Sequence, residues 1–518
     1  MAYWHIQMMY PHGPEGERID SSLMLKESVP VIGTGEWADY QCDDFKDTKG
    51  NGIKIGDIIL VREGNRPLAL CKIKGGSFKD QVLTNKYLNK NFRNIEVLDW
   101  YKGKDKFPKS MGTLEYLRSS DTKSWKFVDK WYKQINANKK MQDLINILKH
   151  KKQIILQGPP GTGKTYTAKQ IAKQLAKRQS ITEADIRAHI SVSQVIPSSG
   201  NYSTYSVDSF TNNGVYLQTA GDKYEAKFAA IIDAFERRTW ENGQVAKGND
   251  PYNAAVAKYI DEQQKQLPNE RVKLIQFHPA YSYEDFVRGI TAETVNNNVA
   301  YDTKNKVLAK LAKKAFENPR ENYVLIIDEI NRANLPAVLG ELIYALEYRG
   351  DVVESMYGIN GDNNLVLPNN LFIIGTMNTA DRSVGHIDYA IRRRFAFKSV
   401  LPNKHVVHEL SNTLFRKVSE LFIDGYDNID WKEPDLKRSK HIAQDFNPED
   451  VWIGHSYFMT NQTEQKDLEE DKKELQLKLD YEIKPLLREY VKDGILREDI
   501  KLEGAANAMD YINNKLCL

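Results

Sequence analysis

Cysteine is scarce: Cys42, Cys71 and Cys517 are spread through 518 positions. They share no metal-type spacing and are too few for a disulfide framework. No run approaches the ~20 apolar residues that a membrane helix requires. The opening MAYWHIQMMY has neither the basic start nor the apolar stretch of a secretory leader. A cytosolic, cytoplasmic chain is the expectation. Net charge is nearly absent too, with 73 Lys and Arg against 70 Asp and Glu giving +3. Also missing is any strand-borne set of Asp, Glu and Lys at nuclease spacing, so no nuclease centre is expected here.

What is present is unevenly distributed. Residues 1–45 hold 2 Lys/Arg against 8 Asp/Glu, whereas Lys46–Lys133 hold 20 against 10. A surplus of that size suits a polyanion, because neutralising phosphates releases counterions; the competing reading is a solvated lysine-rich face. Five of the eight tryptophans, Trp4, Trp37, Trp100, Trp125 and Trp131, also lie in this region. Short apolar runs such as Asp57–Val61 and Ala69–Ile73, divided by glycine and asparagine turns, predict a small mostly-β domain over residues 1–130. A charged helix from Asp129 to His150 leads into an α/β domain, residues 131–400, where apolar strands alternate with helices. A polar insertion interrupts it at 179–271, with helices predicted at Tyr224–Trp240 and Ala254–Gln264. Residues 401–518 read as helical, and the run Glu464–Lys478 as a solvated helix face.

The strand Gln153–Leu156 runs into GPPGTGKT (Gly158, Pro159, Pro160, Gly161, Thr162, Gly163, Lys164, Thr165) and then into a helix. That is the context a phosphate-binding loop demands. Its glycines let backbone amides converge on phosphate oxygens at the positive end of the helix. Lys164 is placed to reach the β and γ phosphates, and the Thr165 hydroxyl to ligate magnesium. A second strand, Tyr323–Ile327, ends in Asp328 and Glu329. Carboxylates closing a buried strand are costly unless they do something. Asp328 fits the magnesium side and Glu329 the group that activates water. A third strand, Leu371–Thr376, ends near Asn378, which is suited to hold that water in line. Beyond it, Arg392, Arg393 and Arg394 point in different directions on any helix. The reading favours Arg392 and Arg393 as candidates for a finger reaching a neighbouring subunit's nucleotide, over a merely basic turn.

The segments IIDEINRANLPAVLGEL, GTMNTADRSVGHIDYAIRRRF, WIGHSYF and QFHPAYSYEDFVRG closely resemble McrB, the AAA+ GTPase subunit of McrBC-type modification-dependent restriction systems. The resemblance covers most of residues 140–495 outside the insertion. It implies an AAA+ P-loop domain with a helical C-terminal lid, a hexameric ring, and GTP with Mg2+ as nucleotide and cofactor. It also implies a separate McrC-like endonuclease subunit as partner and a role in phage defence. By the same resemblance Asn378 is a sensor and Asp381 and Arg382 complete the nucleotide-site signature. Asn331 and Arg332 couple hydrolysis to a partner or the adjacent subunit. The choice of GTP over ATP is implied by the resemblance alone. His455, in WIGHSYF, is expected to pack under the base or the lid.

At the amino terminus, Tyr3–Gln7, IGTGEW and IKIGDIILVREG resemble EVE domains of the PUA-like superfamily, which are associated with modified bases. A reader of modified double-stranded DNA must hold an extruded base between aromatic or apolar walls. Trp37 and Trp4 are the candidate walls, with core packing the competing reading for both. Lys54, Arg62 and Arg66 are candidate phosphate contacts. The alternatives left open are an AAA+ ATPase that remodels RNA or protein, with an RNA-binding amino-terminal domain, and a module in which nucleotide only promotes assembly.

Overall fold

A computed structural model describes residues 1–8, 20–35, 40–103, 105–108, 112–177, 180–198, 204–219, 221–240, 251–266, 271–295, 298–381, 387–431, 434–460 and 468–518. They form two compact units, Met1–Gln142 with Thr182–Gln263, and Asp143–Ile181 with Gln264–Leu518. Among the described residues no helix is long and apolar enough to cross a membrane.

The first unit holds strands β1 (Tyr3–Gln7), β2 (Val31–Thr34), β3 (Ile58–Glu63), β4 (Arg66–Phe78), β5 (Asn91–Trp100) and β6 (Leu114–Tyr116). They form one sheet in the order β2-β5-β4-β3-β1-β6. β1 and β3 run parallel, and the other neighbours are antiparallel. Successive side chains alternate between faces, and here both faces are buried. Trp4, Ile6, Ile59 and Val61 join one core with Phe45 and Phe92. Tyr3, Ile58, Leu60 and Leu70 join another with Phe107, Val128 and Trp131. Two-sided burial explains why β3 reads as an unbroken apolar run rather than as an alternation.

The insertion departs from its expected form. Its first half, for which the sequence predicted no element, is an antiparallel sheet of β8 (Val195–Pro197), β9 (Thr204–Phe210), β10 (Gly214–Gln218) and β11 (Lys223–Lys227). Tyr224 to Lys227, expected to open a helix, pair with β10 instead, and the helix is Phe228–Arg237. Val207, Val215, Leu217 and Ala226 are buried at strand spacing, a period that the intervening Ser, Thr and Asn residues mask. The second helix, Pro251–Gln266, is longer than expected.

The second unit is built on β7 (Gln153–Gly158), β12 (Val272–Gln276), β15 (Tyr323–Asp328), β18 (Leu371–Asn378) and β19 (Ala396–Ser399). All pairings are parallel, in the order β12-β15-β18-β7-β19. Two hairpins, β13 (Arg288–Val295) with β14 (Asn298–Asn305) and β16 (Val352–Ile359) with β17 (Asp362–Val366), are inserted between these strands. The loops that matter leave the carboxyl ends of β7, β15 and β18, where open parallel sheets bind ligands. Residues after Val407 form a separate, mostly helical core around Leu414, Phe415, Trp452 and Phe458. The indole N–H of Trp452 donates to Ser419 at 3.0 Å.

Candidate nucleotide site

The loop after β7 has the backbone its glycines were expected to allow. Gly161 and Gly163 have φ of +77° and +79°, a left-handed region that other residues enter only at a cost. The helix Lys164–Leu175 starts immediately, with Gly163 as its cap. Lys164 turns back onto its own loop, donating to Gly158 O at 2.9 Å and Pro159 O at 2.8 Å. Thr162 braces the same turn through Pro159 O at 3.1 Å. Burial holds the Lys164 ammonium down at about 8, against the pull of Glu329 and Asp328 in the other direction. The two carboxylates therefore lie within electrostatic reach of the loop.

β15 and β18 deliver the acidic half. The Thr165 hydroxyl donates to Asp328 Oδ1 at 2.7 Å, and the Thr376 hydroxyl reaches the same oxygen at 2.5 Å. Glu329 N–H in turn donates to Thr376 Oγ1 at 3.2 Å. Thr376 was overlooked as a site residue. Its signal was its polarity inside the apolar run LFIIGT and its position two residues before Asn378, on the same face of the strand. Glu329 itself sits at φ +53°, a strained conformation for glutamate of the kind that concentrates at functional sites. The hydroxyl of Thr165 and the carboxylate of Asp328 are hard oxygen donors within hydrogen-bonding distance of each other, and that donor set fits magnesium.

Three other expected residues gather beside this pair. Arg332 Nε lies 3.5 Å from Glu329, and its Nη2 lies 3.4 Å from Asp381. Asn378 accepts the Ala380 N–H at 3.2 Å, which holds its side chain at the end of β18. Asn331 is buried, and its Oδ1 has no partner among the described residues. Arg382 lies outside the described residues. The three arginines of the run have different surroundings. Arg394 donates to Ile343 O and Ala390 O at 2.7 and 2.6 Å, a structural commitment. Arg392 and Arg393 are exposed, the first over the Phe397 ring and the second 3.0 Å from Glu347.

The amino-terminal candidates fare differently. Trp4 is in the core, 2% exposed, with its indole N–H donating to Asp57 at 3.1 Å; it is no base-stacking wall. Arg62 is 1% exposed and cannot hold a backbone phosphate. It shares the face of Ile58 and Leu60, and donates to Gln7 at 2.9 Å, to Gly112 O at 2.8 Å and to His5 Nδ1 at 3.3 Å. That leaves His5 Nε2 to donate to Glu115 at 3.1 Å. Burial first, then the Arg62 charge, pushes the His5 imidazole down to about 4. Lys54 and Arg66 are exposed. Trp37 lies outside the described residues.

Comparison with known proteins places this geometry in a class. Residues 256–395 match the family described as AAA domain (dynein-related subfamily), and residues 439–497 match the McrB alpha-helical lid domain. Residues 136–249 match Novel STAND NTPase 3. The second unit is thus an AAA-type P-loop domain with a helical lid. Its particular likeness is to McrB: the chain is McrB-like across its AAA and lid regions. It is 36% identical over 193 residues to the Type IV methyl-directed restriction enzyme EcoKMcrB subunit of Escherichia coli, covering 36% of this chain and 40% of that protein. It is 39% identical over 99 residues to the Type II restriction enzyme BsuMI component YdiS of Bacillus subtilis, covering 16% and 29%. The matches therefore span less than half of either relative. Human THYN1, solved in complex with 5-methylcytosine containing DNA, is 13% identical and covers 27% of this chain and 79% of its own, at a TM-score of 0.16.

Proposed function

We propose that this chain is the GTP-hydrolysing motor subunit of a modification-dependent restriction system. It loads on modified double-stranded DNA through its amino-terminal domain, assembles into a ring and powers a McrC-like endonuclease partner. The observation that carries the motor is the meeting of Thr165 and Asp328 at 2.7 Å, beside a strained Glu329. The restriction role is supported by two relatives, both components of restriction enzymes.

The chemistry follows from these side chains. The amides of Gly161 to Thr165 and the Lys164 ammonium grip the phosphate chain, so Lys164 exchanges its two loop carbonyls for phosphate oxygens. Thr165 and Asp328 would hold magnesium, which would supply charge neutralisation to the triphosphate. Glu329 leaves Arg332 to orient and deprotonate the attacking water, and Asn378 holds that water in line. Arg332 then remains with Asp381, so its pairing reports the state of Glu329 to the surface where a neighbour or partner docks. Arg392 or Arg393 reaches the nucleotide of the adjacent subunit and stabilises charge in the transition state. The direct test is turnover of GTP and of ATP by the full chain with magnesium. GTP turnover should dominate; equal or faster ATP hydrolysis removes the restriction-motor reading.

A further inference from the structure

The phosphate loop is also held from behind. A loop whose amides converge inward turns its carbonyls outward, and those need partners of their own. Two come from the lid: Gly454 N–H donates to Pro160 O at 2.8 Å, and Ser456 N–H donates to Gly161 O at 2.9 Å. Between them His455 Nδ1 accepts the Asn403 N–H at 3.2 Å, and its Nε2 lies 3.7 Å from where a Cβ on Gly163 would stand. The Tyr457 ring closes over Gly161, 2.6 Å from the corresponding point there.

Gly454 shows how tight this seat is. Its backbone, at φ −72° and ψ 160°, is open to any residue, so conformational freedom is not what requires glycine. Space is. A Cβ at Gly454 would fall 1.9 Å from Gly161 C, 2.1 Å from Gly161 O and 2.4 Å from Thr162 N. These are backbone atoms of the phosphate loop itself, and they cannot swing aside as a side chain would.

The geometry points to Gly454–Tyr457 as a strap that presets the phosphate loop from its outer side, with Gly454 a positioning residue for triphosphate binding. The inference rests on reading Gly158–Thr165 as the triphosphate loop. Because the strap continues into lid-core residues Trp452, Ile453 and Phe458, a tilt of the lid is felt at the loop. By linkage, nucleotide binding biases the lid in return.

The test is Gly454→Ala in the full chain, titrated with GTP and, in parallel, ATP in the presence of magnesium, with far-UV circular dichroism as the folding control. Kd and KM are expected to rise tenfold or more while kcat at saturation stays within twofold. A merely structural defect does the opposite, lowering kcat with the active fraction and leaving Kd alone. Affinity within twofold of wild type, in a folded variant, overturns the strap. Should Gly454→Ala not fold, Tyr457→Ala removes the ring over Gly161 without adding atoms. It is expected to raise Kd about threefold, and an unchanged Kd is again fatal. A wild-type chain that binds neither nucleotide sinks the reading of the loop and the strap with it. Binding by wild type and variants alike sinks the strap alone.

Discussion

The nucleotide site and the amino-terminal sheet were read from the same kinds of residue, and they answered differently. In the first, Lys164, Thr165, Asp328 and Glu329 lie at one end of a parallel sheet, as their motifs require. In the second, Arg62 and Trp4 turn inward, and Arg93 joins them at 2% exposure with its Nη1 donating to Gly75 O at 3.0 Å. The difference lies in what each signal encodes. A glycine-rich loop between strand and helix specifies backbone geometry, and geometry fixes where side chains point. A surplus of Lys and Arg specifies charge and is silent about faces. On a sheet buried on both sides, an arginine inside a strand is drawn into the core wherever carbonyls and amides there can take its donors.

The sharpest way to break this comparison is at the loop. Lys164→Ala should lower nucleotide affinity roughly 100-fold, the worth of charge-assisted hydrogen bonds at ~1.5–3 kcal/mol each, and with it nucleotide-dependent assembly. Isothermal titration and light scattering check both, and assembly without nucleotide in that variant contradicts the expectation. Glu329→Gln should instead keep binding and lose hydrolysis by about 10²–10⁴, the usual worth of a positioned base. Unchanged turnover would favour a module in which nucleotide only promotes assembly.

Arg62→Ala tests the other side. It leaves Gln7, Gly112 O and His5 without their buried donor, a loss of about 1–3 kcal/mol for each acceptor left unsatisfied in the first unit. Hydrogen exchange should show that loss in β1 and β3, with nucleotide turnover intact. If Arg62→Ala instead left exchange unchanged and weakened DNA binding alone, the phosphate-contact expectation would return and the contrast would fail.

Acid offers a smaller effect common to both units. Burial holds His455 at about 4, as it holds His5. A histidine whose folded value lies below its unfolded ~6.5 is fully stabilising above that value, and the contribution is lost as pH falls toward 4. Thermal denaturation of the full chain between pH 6.5 and 4 should steepen by up to about 1.4 kcal/mol per pH unit for each histidine. His455→Asn, which keeps an acceptor for Asn403, should remove about one proton's worth of that slope. An identical slope in the variant excludes His455 as a contributor.

How much was legible follows the same division. The order of loop, acid pair and sensor strand was read directly, since each motif sits where a strand meets a loop and carries its own polarity. Thr376 was missed because one polar residue in an apolar strand looks like a strand end until its partner Asp328 is seen across the sheet. The strap was missed because Gly454 meets the phosphate loop across almost 300 residues of chain, and no local pattern encodes a steric fit between distant backbones. The sheet in the insertion was missed because its inward residues are few and its outward ones are turn-forming types. The two-sided burial of β3 was concealed in the run that announced it: apolar residues on both faces remove the alternation that tells inside from outside.

The exposed cations Lys54 and Arg66 carry the last and smallest expectation. They are what remains of the proposed phosphate contacts on the amino-terminal sheet. A cation at a DNA surface acts by releasing counterions, so each lost contact should lower the slope of log affinity against log salt by about 0.9. Lys54→Ala and Arg66→Ala should therefore each weaken DNA binding several-fold at low salt, with the deficit shrinking as salt rises. Because such contacts position the duplex without reading it, the ratio of affinities for modified and unmodified DNA should not change. Stability should move by less than about 0.5 kcal/mol, as for other surface substitutions. Fluorescence anisotropy over a salt series decides it. A slope equal to wild type in the double variant places the DNA elsewhere on the chain, and a changed ratio assigns these residues to reading the base rather than holding the backbone.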